Sequence, residues 1–148
     1  LAAIALSLTL FANNSQASSF RTNEAVDCLT QNIYFEARGE PVLGQIAVGY
    51  VTLNRLNHPD FPSTICGVVR DGSKHSCQFS WYCDGKSDKL PNTEEVAKIR
   101  ILATVIITRK LRDPTHGALY FHSVNINPKW KKSEKIIEIG NHVFYRGT

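Results

Sequence analysis

After residue 17 the chain has no apolar run approaching the roughly 18–20 residues that span a bilayer, so no membrane-crossing segment is expected beyond that point. Neither His-Glu-x-x-His nor Cys-x-x-Cys occurs, which removes the two compact signatures of a zinc site. A Gly-x-x-x-x-Gly-Lys phosphate loop is also missing, and the basic residues are scattered rather than gathered into a stripe. Both absences argue against nucleotide and nucleic-acid partners. Internal repeats and low-complexity linkers are lacking, so nothing marks a second domain. There is no methionine at all, and no basic segment precedes the first apolar run; the first few residues of a leader are therefore expected to be missing.

What is present fits one domain: 148 residues, 43% of them hydrophobic. The opening LAAIALSLTLFANNSQASS is an apolar run of about a dozen residues followed by the small-residue site Ser15-Gln16-Ala17. It reads as a signal peptide, residues 1–17, cleaved after Ala17, and it is too short for a transmembrane anchor. Residues 18–148 would then be the mature domain, exported to a periplasm or to the extracellular side and cell wall, and soluble there. All of the net charge of +4 belongs to them, since residues 1–17 carry none. That balance suits an anionic partner only weakly. Four cysteines, Cys28, Cys66, Cys77 and Cys83, are an even number in an exported chain, which favours two disulfides with three pairings open.

Thr22 or Asn23 can cap a helix with Glu24 and Asp27 in its first turn, and Val26, Leu29, Ile33 and Ala37 recur on one stripe until Gly39 and Pro41 stop it. The first helix is thus expected over about 23–38. VLGQIAVGYVTLNRL follows, apolar on most sides and so buried, with Gly44 and Gly49 allowing close packing. Ser63 or Thr64 caps a short helix through Val69, and Asn92 or Thr93 starts a long one to about Leu111, basic at its end through Arg109, Lys110 and Arg112. CQFSWYCDG reads as a stapled loop or short strand pair and ALYFHS as a strand. KIIEI and HVFYR flank Gly140-Asn141 as a hairpin. The expected class is α+β, mainly helical, with a small β-hairpin.

Within IYFEARGEP, Glu36 is out of character. Seven residues return a helix to within about 20° of the same direction, so Glu36 lies over Leu29 and beside Ile33, toward the core. Burial and the negative end of the helix both raise a carboxyl pKa, and an acid kept protonated near neutral pH is what general acid catalysis requires. The competing reading is a structural carboxylate, paired with Arg38, Arg55 or Arg70 or capping a neighbouring helix.

The series YFEARGEPVLGQIAVGYVTLNR, FPSTICGVV, CQFSWYCDG, GALYFH and IGNHVFYR, in order across residues 25–146, resembles the cell-wall hydrolase family of the spore-cortex-lytic enzyme SleB. The resemblance implies a single lysozyme-like domain that cleaves the glycan strands of peptidoglycan, at the bond between N-acetylmuramic acid and N-acetylglucosamine, as a lytic transglycosylase. It further implies that the first Glu of the Glu-Ala-Arg-Gly-Glu motif, here Glu36, is the catalytic acid.

Lysozyme-type hydrolysis commonly needs two acidic groups. A lytic transglycosylase needs one, because the muramic 6-hydroxyl closes an anhydro ring and the same Glu returns as base. Glu40 follows Gly39, where the chain has left the helix, and reads as a turn or structural residue; Asp84, before Gly85, reads as a turn former. The lack of a clear second carboxylate favours the transglycosylase. Gln78, Phe79 and Ser80 match the family's Gln-Phe-Ser motif and suit a sugar groove, and Tyr120 is a candidate to orient Glu36 or an N-acetyl group. Phe79 and Trp81 have the alternative of being core residues beside a disulfide. Asn54, polar inside an apolar helix, either faces the groove or satisfies a backbone group.

Histidines 58, 75, 116, 122 and 142 test the rival wall enzyme, a zinc-dependent N-acetylmuramoyl-L-alanine amidase. Any ligand set would have to be assembled from distant loops, and His142 reads as structural. A non-catalytic peptidoglycan-binding module is the other rival, against which the intact Glu36 argues. No metal and no cofactor are expected, and the domain is expected to act as a monomer.

Overall fold

The structure, a computed structural model, describes residues 2–73, 76–128 and 134–147, and of residues 2–17, 19 and 20 only the backbone. Of the residues singled out above, His75 lies outside the described residues, as do the side chains of the expected leader.

Helix α1 spans Ala2–Ala37, so it begins well before the expected start at residue 23. No Gly or Pro precedes Gly39 to break it, and Thr22 does not act as a cap: its hydroxyl donates to the Ser18 carbonyl four residues back, at 2.9 Å. Helix α2, Val42–Leu56, has the expected limits and is buried from Ala47 to Leu53. A Cβ on Gly49 would come within 2.8 Å of Ile106 and 3.2 Å of Ile33, so this glycine lets α2 approach both neighbouring helices. Helix α3, Ile65–Val69, is capped by Thr64, whose hydroxyl accepts from the Gly67 N–H at 3.0 Å.

Helix α4, Glu94–Ile107, is capped by Thr93 as expected but stops four residues short of Leu111. Arg109 turns left-handed at φ 52°, and the Tyr50 hydroxyl donates to the Leu111 carbonyl, holding the following segment against α2. Arg109, Lys110 and Arg112 therefore lie beyond the helix instead of in its last turn.

Between α3 and α4, β1 (Gly72–Ser73) pairs with β2 (Ser76–Cys77), and a 3-10 turn follows over Ser80–Cys83. Disulfides join Cys28 to Cys66, tying α1 to α3, and Cys77 to Cys83, closing the segment that carries Gln78–Ser80. The C-terminal sheet is built from β3 (Tyr120–Ser123), β4 (Glu134–Ile139) and β5 (His142–Arg146), in the order β3-β5-β4. Gly140 opens the β4–β5 turn at φ 59°. Antiparallel register puts Phe121 opposite Phe144 and Ser123 opposite His142, so these four share one face.

Two apolar clusters result. One joins the four helices around Leu29, Ile33, Leu53 and Ile106 and includes Phe79 and Trp81. The other fixes the sheet to α1 and α2 through Ala37, Val48, Val51 and Phe144. Phe121 packs against both, and Glu36 reaches the surface where they meet.

Candidate active site

Glu36 is in the last turn of α1, and a polar chain fixes the rotation of that turn. One turn earlier, the fully buried Asn32 accepts from the Trp81 indole N–H at 3.1 Å and donates to the Thr52 hydroxyl at 3.1 Å. Trp81 also stacks on Phe35, ring centres 4.7 Å apart. Helix α1 is thereby keyed to α2 and to the 3-10 turn, and Glu36 is aimed into a cleft of about 310 Å³.

Burial raises the Glu36 carboxyl from 4.5 to about 7, while Arg55 pulls it part of the way down. Among the described residues it forms no hydrogen bond or ion pair, so the expected alternatives of pairing with Arg38, Arg55 or Arg70 are not taken. Among those residues, no other carboxylate lines the cleft.

Arg55 is 4% exposed. Its Nε donates to the Leu119 carbonyl at 2.7 Å, and the guanidinium carbon lies 5.0–5.5 Å from the ring centres of Phe61, Phe79 and Tyr120. Burial lowers its pKa to about 10, against opposing pulls from Tyr120, Asp71 and Glu36, so it stays charged at neutral pH. Its Nη1 is buried without a partner. The same holds for Nδ1 of His142, a residue 8% exposed whose ring stands edge-on to Phe121 at 5.0 Å. Burial lowers the His142 pKa, with Glu40 opposing and His122 reinforcing. Both residues line the Glu36 cleft, so two buried polar atoms there await a partner.

Of the residues singled out from sequence, Gln78 and Ser80 are on the cleft wall, both exposed. Phe79 also lines it but is 2% exposed, which makes it a core residue with one edge on the floor; Trp81, 8% exposed, packs in the core and does not line this cleft. Tyr120 is not among the residues lining the cleft, and its ring packs under the Arg55 guanidinium, which does line it. Glu40 is structural: its carboxylate accepts from the Asn141 backbone N–H at 2.8 Å and side-chain amide at 3.1 Å, clamping the hairpin turn. Asp84 accepts from the Lys86 N–H at 2.9 Å, as a turn former does. Asn54 turns away from the cleft, donating to Asp113 at 3.0 Å and to the Ala118 carbonyl at 3.1 Å. Among the described residues, no three His, Cys, Asp or Glu side chains converge on a point that would hold a metal ion.

Residues 39–145 match the Cell Wall Hydrolase family. The chain belongs to that family. The matched span begins three residues after Glu36, but alignments to individual members take in more of the chain. It is 34% identical over 126 residues to the spore cortex-lytic enzyme of Bacillus subtilis, covering 83% of the chain and 38% of that protein. With the Bacillus cereus enzyme it is 36% identical over 121 residues, covering 80% and 43%. The chain thus spans about two fifths of the length of these family members. Among solved structures it is similar to the catalytic domain of Bacillus cereus SleB, with a TM-score of 0.66 and 32% identity over 84% of this chain and 91% of that one. The catalytic domain of the germination-specific lytic transglycosylase SleB of Bacillus anthracis gives 0.65 and 32%, over 82% and 93%. The α+β, mainly helical class expected from sequence is that of these catalytic domains.

Three residues of the site stand out more in the structure than in the sequence. Arg55 reads from sequence only as a structural partner for Glu36, although an arginine following Asn54 inside an apolar helix is itself a signal. His142 reads as structural, and only the register opposite Ser123 brings it to the cleft. Asn32 has a visible cue, a polar residue one helical turn before Glu36.

Proposed function

We propose that this domain cleaves peptidoglycan glycan strands between N-acetylmuramic acid and N-acetylglucosamine as a lytic transglycosylase, with Glu36 as general acid and then base. The reading rests on one observation above all: among the described residues the cleft holds a single carboxylate, and burial sets it at about 7. Protonated Glu36 gives its proton to the glycosidic oxygen as the bond from muramic C1 to that oxygen breaks. The muramic 6-hydroxyl then attacks C1, the ionised Glu36 takes the hydroxyl proton, and a 1,6-anhydro end forms without water. A second carboxylate to activate water is not required. Similarity to the Bacillus anthracis lytic transglycosylase supports the same chemistry.

Arg55 Nη1 and His142 Nδ1 supply the hydrogen bonds that a sugar hydroxyl or N-acetyl oxygen fills on binding, while Gln78 and Ser80 bind along the wall. Phe79 forms the floor, and Tyr120 acts by packing on Arg55. Charge at Arg55 also keeps Glu36 from rising further, so the acid can ionise again within the catalytic cycle. The uncharged apolar opening, residues 1–17, supports export and cleavage after Ala17, to a periplasmic or cell-wall site of action.

The test is to digest purified peptidoglycan and weigh the soluble products, with Glu36→Gln as control. Anhydromuramic ends, one water lighter than hydrolysed ones, are expected from the unaltered domain and none from the variant. Reducing muramic ends would overturn the transglycosylase in favour of a hydrolase, and free stem peptides would overturn glycan cleavage in favour of an amidase.

A further inference from the structure

A second cleft, of about 340 Å³, opens between the end of α1 and the segment 84–91. The two clefts share their walls. The last turns of α1 send Glu36 into one and Tyr34, Phe35 and Arg38 into the other; the segment after Cys77 sends Gln78, Phe79 and Ser80 into the first and Trp81 into the second. The same two segments thus contribute side chains to both clefts.

The chemistry of the two differs. The second has a ring floor, with Phe35 stacked on Trp81 at 4.7 Å and Tyr34 edge-on to Phe35 at 5.2 Å. Arg38 lies 4.9 Å over the Tyr34 ring. Around this floor stand Lys86, Lys89, Asp84 and Asp88. Asp84 is already engaged, by the Lys86 N–H at 2.9 Å and the Lys86 ammonium at 3.8 Å. Arg38 and Lys89 remain as cations, with Asp88 as the opposing carboxylate. Gln31 of α1 donates to the Asp88 carbonyl at 3.1 Å and ties that loop to the helix. A neutral sugar has no charges to match such a lining. The stem peptide carried on the muramic lactyl group has, since its carboxylates outnumber its amines and it hangs from the strand on the sugar that is cut.

We propose that this second cleft receives the stem peptide, with carboxylates on Arg38 and Lys89, an amine on Asp88 and its aliphatic parts on the ring floor. The proposal rests on the glycan-strand reading above and deepens it: the enzyme would prefer strands that still bear peptides.

Two measurements test it separately from catalysis. In the first, the full chain carrying Glu36→Gln and labelled with 15N is titrated with the free tetrapeptide alanyl-glutamyl-diaminopimelyl-alanine. Shifts are expected at the backbone amides of Tyr34, Phe35 and Lys89 and at the Trp81 indole, with Ser123 unmoved, and Arg38→Ala with Lys89→Ala should abolish them. In the second, that double variant in the otherwise unaltered chain is compared on peptide-bearing and amidase-stripped strands. Loss of charged contacts should raise KM on the former roughly tenfold with kcat unchanged, and leave stripped strands cleaved as before. Absence of the shifts, shifts confined to the Glu36 cleft, or equal loss on both substrates would overturn the proposal. Should the chain cleave neither substrate, the reading of Glu36 would fail, and the titration would still decide the peptide site.

Discussion

Glu36 and Glu40 are one helical turn apart in sequence, and Asn54 and Arg55 are adjacent, yet each pair is divided between two kinds of environment. Glu40 accepts two hydrogen bonds from Asn141, and Asn54 organises a loop in which Asp113 also accepts from the Thr115 and Gly117 N–H groups at 2.7 and 2.8 Å. Those polar groups have their partners. Glu36 has none among the described residues, and Arg55 and His142 each keep one buried polar atom unbonded. A buried polar group without a partner costs about 1–3 kcal/mol. That cost is concentrated at one cleft, while equally polar residues a few positions away are fully satisfied. The difference separates groups that hold the fold from the groups to which the proposed function assigns the substrate.

The strongest way to break this contrast is Glu36→Gln. Loss of the proton donor should lower cleavage by about 10³-fold or more, measured as product release, while the melting temperature at neutral pH stays the same or rises. The sign of the stability change follows from linkage. The folded pKa, about 7, exceeds the ordinary value of 4.5, so Glu36 stabilises fully below about 4.5 and this contribution is lost as pH rises through 7. The variant should therefore gain on the unaltered chain between those values, by at most roughly 3 kcal/mol. Activity should likewise fall above pH about 7.

Arg55→Met, next in size, sharpens the point. Removing the charge takes away the one pull that lowers the Glu36 pKa, so the descending limb of the pH–rate profile should move to higher pH. Loss of the hydrogen bond proposed from Nη1 to the substrate should reduce kcat/KM by about tenfold to a hundredfold. An unmoved limb would separate Arg55 from Glu36.

Much of this is legible in the sequence, and the exceptions have physical causes. The limits of α2 and the caps Thr64 and Thr93 follow from local side chains and backbone. The inward direction of Glu36 follows from helical period alone. The end of α4 differs from expectation because a left-handed Arg109 and the Tyr50–Leu111 contact, both tertiary, override propensity there. The start of α1 differs because a plausible cap, Thr22, bonds back along the helix instead. His142 is not recognisable from sequence as part of the cleft, since its place depends on pairing with a strand about twenty residues away.

On the satisfied side of the comparison, Asn54→Ala should cost about 2 kcal/mol in chemical denaturation and leave product formation intact. Burial would raise the Asp113 pKa, but hydrogen bonds from Asn54, Thr115 and Gly117 outweigh it and hold the carboxyl below its usual 3.8. A depressed pKa stabilises above the unfolded value and is lost as pH falls through the folded one. The deficit of the variant should therefore shrink below about pH 4.

Glu40→Gln is the smallest change and the most discriminating. The amide can keep one acceptor on Asn141 but loses the charge, so about 1 kcal/mol of stability should go, with cleavage and anhydro products unchanged. Gly140 explains why the clamp is close: a Cβ there would sit 2.1 Å from the Glu40 carboxylate. If Glu40→Gln instead abolished cleavage with the hairpin still formed, a carboxylate that looks fully occupied would be the second acid. Two acids would then flank the bond, and the products should carry reducing rather than anhydro ends. Retained cleavage would leave the cleft with the single carboxylate that transglycosylation needs.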